Sequence, residues 1–168
     1  MRALVWIVED TWEATIAEAA RFLPDDAHIT LLHVAAAEVE EVAAAAHHGL
    51  LGRRRPGPPA APPALRAISE QAAQELLADA RARLGRDAEL CVRRGRVERE
   101  VIRAAQDTDL LLLARDGDHA HLGPRSLGPQ ARFVVDHAPC RLLLVWPEPP
   151  PDVSTIPAGP HDPPPQPR

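Results

Sequence analysis

Apolar positions along the chain fall into five short runs, separated by stretches that are apolar only at helical spacing. The runs are 2–8, His28–Val34, Ala88–Arg93, Asp109–Ala114 and Cys140–Trp146, and each predicts a buried strand. Between the first two, Trp12, Ile16, Ala19, Ala20 and Leu23 mark a helix that Pro24-Asp25-Asp26 ends. Asp10 is its expected N-cap, with Glu13 closing a capping box. A short Ala- and Glu-rich helix is expected after the second strand. Leu65, Ile68, Ala72, Leu76, Ala80 and Leu84 predict a long helix stopped at Gly85. Val97, Val101, Ile102 and Ala105 predict a further helix. A last helix is expected at 129–138, with Pro129 in its first turn and Pro139 beyond its end.

Strands alternating with helices imply a mainly parallel sheet covered on both faces. The expected fold class is α/β, a three-layer doubly wound sandwich with a five-stranded mainly parallel sheet. In such folds ligands sit beyond the C-terminal strand ends, where the strand order reverses. That directs attention to Glu9-Asp10, Val34, Gly95 and the long loop 115–128.

Proline changes the domain map. Of 19 prolines, five fall in 56–63 and ten in 147–168. The first group follows Arg53-Arg54-Arg55 and predicts a Pro/Arg-rich insert at about 47–64. The second has too few apolar residues for a core and predicts a disordered tail, 147–168. The folded domain is then expected at 1–146.

Charge narrows the function. The net charge is −5, and all 19 cations are Arg, with no Lys anywhere. A Walker-A loop and Schiff-base chemistry are therefore excluded. With aromatics at 3%, neither a nucleic-acid footprint nor a base-stacking platform is expected. The longest apolar runs are too short to span a membrane. No basic N-terminal region precedes an apolar stretch, and the expected location is the cytoplasm. Cys91 and Cys140 lie far apart, without zinc-ligand spacing, and are expected as free, buried thiols.

The chemistry-bearing segments are few. Loop 115–128, RDGDHAHLGPRSLG, carries Gly117, Gly123 and Gly128 and precedes a helix N-terminus, which favours anions. Arg115 or Arg125 is the candidate charge partner. Glu9-Asp10 resembles the paired acids of phosphate-accepting receiver domains, but those need a Lys that this chain lacks. His47-His48 and His119-x-His121 lack carboxylate or thiol partners at ligand spacing, so no metal is expected. His33 is expected as a satisfied core residue. None of the three serines sits in a nucleophile elbow, and no catalytic residue is assigned.

The run from Gly128 to Val145, with His137-Ala138-Pro139-Cys140 intact before the closing strand, resembles the C-terminal signature of the universal stress proteins. The acid after the first strand, Leu31-Leu32-His33-Val34, Arg93-Arg94-Gly95 and Asp109-Leu110-Leu111 are similar to that family in the same order. The resemblance covers about residues 2–146, apart from the insert. It implies an adenine nucleotide alpha hydrolase-like fold and a non-enzymatic regulatory or binding module. It also implies a homodimer through the last strand, Arg141–Trp146.

Nucleotide-binding members hold ATP phosphates with Gly-x-x-Gly-x9-Gly-Ser/Thr. Aligned on Gly128, the two early glycines fall on Arg115 and Asp118, and the hydroxyl residue on Pro129. Proline offers neither hydroxyl nor N–H. The resemblance places Glu9 at the nucleotide-contacting acid and Val34 at the backbone position facing adenine. The candidate nucleotide or anion site is therefore Glu9, Val34, Arg115, Gly117, Gly123 and Gly128, with ATP binding in the family's usual way expected to be lost. The alternatives are an ATP-binding protein with a rearranged loop and slow hydrolysis, and a scaffold that recruits partners through the Pro-rich tail.

Overall fold

A computed structural model describes residues 1–36 and 63–156. Strands β1 (Arg2–Trp6), β2 (His28–Ala36), β3 (Glu89–Gly95), β4 (Leu110–Ala114) and β5 (Arg141–Val145) alternate with helices α1 (Trp12–Phe22), α2 (Pro63–Leu84), α3 (Val97–Ala105) and α4 (Pro129–His137). They form one five-stranded sheet in the order β3-β2-β1-β4-β5. Every neighbouring pair is parallel.

Period-two alternation divides each strand between two cores. Ala3, Val5 and Ile7 face α1 and α2, packing with Ile16, Ala19, Leu77 and Ala80. Leu4 and Trp6 face α3 and α4, packing with Val97, Val101, Ala131 and Val134. Three layers result, as the apolar runs predict. The chain winds from β1 outward to β3, then returns past β1 to β4, so the order reverses between β1 and β4.

Element ends differ from expectation where local chemistry decides them. Helix α2 starts at Pro63, inside the segment expected as insert, because proline suits a first helical turn. The expected capping box at α1 does not form. The Thr11 and Trp12 amides both donate to the Val8 carbonyl, at 3.1 and 2.9 Å, which winds the chain tightly ahead of the helix. Thr11 becomes the N-cap, without a side-chain cap bond. The expected helix after β2, most of the insert, and 157–168 lie outside the described residues.

Residues 147–156 belong to the segment expected to be disordered, yet they hold a definite course. Asp152 accepts from the Ser154 amide at 2.8 Å and starts a short 3-10 turn, Val153–Thr155. The Leu122 amide then donates to the Thr155 hydroxyl at 3.0 Å, tying this segment to loop 115–128. Polar anchoring replaces the apolar burial that the segment lacks.

Arg86 performs a job that the apolar pattern did not announce. Helix α2 ends at Gly85, which takes φ 73°, a left-handed conformation that glycine reaches at little cost. The chain turns there, and the Arg86 guanidinium donates to the carbonyls of Pro24 at 2.9 Å and Leu23 at 3.1 Å. It thereby satisfies acceptors at the C-terminal end of α1 and places a cation at the negative pole of that helix. Arg86→Ala is expected to destabilise the fold by about 1–3 kcal/mol, because charged hydrogen bonds are lost and no water-sized substitute carries the charge. Urea denaturation measures it.

Candidate functional site

Parallel strands deliver their C-terminal ends to one edge of the sandwich. There the apolar alternation of β1 stops at Val8, and Glu9 follows with its side chain 68% exposed. Next to it, His33 is buried near the end of β2. Its Nδ1 lies 3.1 Å from the Ile7 carbonyl oxygen, to which it donates. Its Nε2 faces Glu9 Oε1 at 3.7 Å. His33 is thus a buried histidine held by the Ile7 carbonyl, with its other nitrogen turned to Glu9.

A cavity of about 460 Å³ opens above these strand ends. Its floor and walls include Trp6, Val34, Ala72, Leu76 and Val97, and its polar groups come from Glu9, His33, Ser69 and Gln130. Helix α2 supplies Ala72 and Ala73, whose small side chains leave room over the sheet. Volume and lining are those of a small-molecule site, mostly apolar with a few convergent polar atoms.

Loop 115–128 folds on itself beside this cavity. The Gly117 amide donates to the Ser126 carbonyl at 3.0 Å, and the Asp118 amide to the Arg125 carbonyl at 2.8 Å. A Cβ on Gly117 would lie 2.2 Å from the Arg125 oxygen, so only glycine permits this approach. Asp118 accepts from the Ala120 amide at 2.9 Å and from His121 Nδ1 at 3.2 Å. Those bonds, the backbone one first, hold its carboxyl below the usual carboxylate range.

Asp116 reaches across the loop, and its Oδ1 accepts the Gly128 amide at 2.7 Å. Gly128 is the N-cap of α4, so a carboxylate of the chain itself sits at the positive pole of that helix. Arg115 turns the other way. Its guanidinium donates to the Ser126 hydroxyl and stacks 4.5 Å from the Trp146 ring centroid. Burial pulls the Arg115 pKa below its ordinary value. His119 donates to the Arg115 carbonyl at 3.0 Å and meets Trp146 edge-on, with centroids 6.1 Å apart.

Of the site residues expected from the sequence, Glu9 and Val34 line the cavity. Arg115, Gly117, Gly123 and Gly128 are not among its lining residues. Gly123 takes φ 137° at the loop's far turn, with open space around it. Among the described residues, no group of three His, Cys, Asp or Glu gathers at metal-binding distance. Among the described residues, no helix is long and apolar enough to cross a membrane. Both cysteines are free and half-buried rather than buried, because β3 and β5 are the sheet edges.

No family model matches the sequence, and no curated protein matches it. Solved structures do. A universal stress protein of Lactobacillus plantarum superposes with a TM-score of 0.57 at 18% identity, covering 86% of this chain and 97% of that one. A universal stress protein in complex with cAMP gives 0.56 at 14% identity, covering 88% and 98%. A universal stress protein family protein of Arabidopsis thaliana with AMP bound gives 0.52 at 16%, covering 96% and 99%. The fold is that of the universal stress proteins.

The resemblance read from the sequence aligns Arg115 and Asp118 with the signature's early glycines and Pro129 with its hydroxyl position. The amides of Gly117, Asp118 and Gly128 are already committed to partners within the loop. Asp116 closes this end of the loop. Its contact with the Gly128 amide joins residues 12 apart, which spacing alone does not reveal. Gly117→Ala is expected to force the loop open and to cost about 1–3 kcal/mol, measured by chemical denaturation.

Proposed function

We propose that this chain is a universal-stress-protein-like regulatory or binding module, non-enzymatic, whose ligand site is the cavity above β1 and β2. It does not hold ATP as nucleotide-binding members do. The Asp116 carboxylate on the Gly128 amide carries this reading. An incoming phosphate would have to displace one anion from the helix N-terminus and lie beside a second, Asp118, with Pro129 offering no donor. The opposite reading, a nucleotide site with a rearranged loop, draws on the cavity itself and on the AMP- and cAMP-bound structures of similar fold. The two readings part on one measurement. A thermal-shift assay with ATP and Mg²⁺ is expected to leave the melting temperature unchanged, since only a ligand that binds the folded state raises it. A rise of several degrees defeats the reading.

The module is proposed to work as a homodimer through β5. That strand ends the sheet, so one side of its backbone lacks a ladder partner. Leu142, Leu143 and Leu144 are only half-buried along it. Beside it Phe22 is 55% exposed, and a groove of about 550 Å³ runs between α1 and the strand. Trp146 packs on Arg115, which leaves the leucines as the apolar anchors. The fold supports a second copy pairing strand to strand there. Leu143→Arg is expected to shift the protein from dimer to monomer in light scattering, and a wild-type protein that is monomeric at every concentration defeats the proposal.

A further inference from the structure

We propose that the cavity above β1 and β2 selects a small molecule with an apolar body and a cationic or neutral nitrogen donor, such as an amidine or an amine, and rejects anions. This rests on the reading of that cavity as the ligand site and adds the chemical class of the ligand. The specificity lies in the pair formed by Glu9 and His33.

The tautomer of His33 follows from its partner. The Ile7 carbonyl can only accept, so the Nδ1 at 3.1 Å carries the proton. A neutral ring with its proton there presents a lone pair at Nε2. That nitrogen points to Glu9 Oε1 at 3.7 Å, beyond hydrogen-bond distance. A carboxylate is also acceptor-only. The cavity wall thus shows two acceptors side by side, with no donor between them. The His33 side chain is 9% exposed and lines the cavity, so Nε2 is presented to whatever enters it. An acceptor at a cavity wall can take a hydrogen bond from an entering donor.

The missing partner is a donor with two N–H groups. An amidine carries two in one plane and can give one to Glu9 and the other to His33. An alkyl ammonium can do the same with two of its three protons. The rest of the lining suits an apolar body, since Trp6, Val8, Val34, Ala72, Leu76 and Val97 surround it. Ser69 and Gln130 add neutral polar atoms at the rim. Among the described lining residues there is no arginine, so a carboxylate or phosphate ligand would meet Glu9 without a counter-charge.

The test uses the full chain and a pair of isosteric probes. Benzamidine and benzoate share one planar body and differ in the sign of the head group. In ¹⁵N NMR titrations, benzamidine is expected to shift the amides of Glu9, Val34 and Ala35, while benzoate at equal concentration leaves them in place. Glu9→Gln keeps the shape of the side chain and removes the charge. It is expected to weaken benzamidine binding by about tenfold without changing the spectrum of the unliganded protein elsewhere. Benzoate binding as well as benzamidine, no binding of benzamidine, or benzamidine binding indifferent to Glu9→Gln would each overturn the proposal. ATP binding with Mg²⁺ that leaves the amides of Glu9, Val34 and Ala35 in place would defeat only the earlier reading of the phosphate loop, whereas ATP binding that shifts them would overturn this proposal as well. Failure of the benzamidine comparison without ATP binding defeats this proposal alone.

Discussion

Burial of β1 on both faces and both edges is the constraint from which the other features follow. It pairs with β2 on one side and β4 on the other, and its residues feed two separate cores. From Ala3 onward such a strand tolerates no charge, because nothing in either core can partner one. The first acid therefore appears only where the strand runs out of cover, at Glu9. The neighbouring strand β2 brings His33 within reach of that acid. The polar end of the cavity is thus a consequence of where burial ends, and the apolar remainder is the exposed rim of the core.

The other side of the order reversal is governed by anions rather than by apolar cover. Loop 115–128 has to satisfy the N-terminal pole of α4, and it does so with a carboxylate from its own first turn. Arg115, freed from any anion at that pole, is spent on Trp146 and Ser126. Pro129 fits the same logic, since a first-turn proline removes an amide that would otherwise need a partner. The loop thus meets the N-terminal pole of α4 with a carboxylate of its own. The cavity over β1 and β2 is a concave polar-apolar surface at this end of the sheet.

Most of the fold was legible in the sequence because it rests on periodicity. The five strands and four of the helices appear within a residue or two of the expected bounds, since alternating burial writes itself into consecutive positions. The capping box at Asp10 failed because a turn at Val8 set the helix start, which no capping pattern records. The order in 147–156 was missed because it depends on Asp152, Thr155 and the Leu122 amide, polar contacts that composition ignores. Of the six candidate site residues, two line the cavity, for a similar reason. Glu9 and Val34 lie at strand ends, which periodicity locates. The contacts of Asp116 with Gly128 and of Glu9 with His33 join segments distant in sequence, and only the fold brings them together.

The Asp116–Gly128 contact also sets a threshold for every soluble anion. A tethered carboxylate on a short loop faces its amide at an effective concentration of about millimolar or higher. A free anion of equal intrinsic affinity must reach that concentration merely to share the site. Fluctuations in free anions below that level leave the loop closed. The protein thereby carries its own competitor, and its response at this pole is buffered by geometry rather than by any change in affinity.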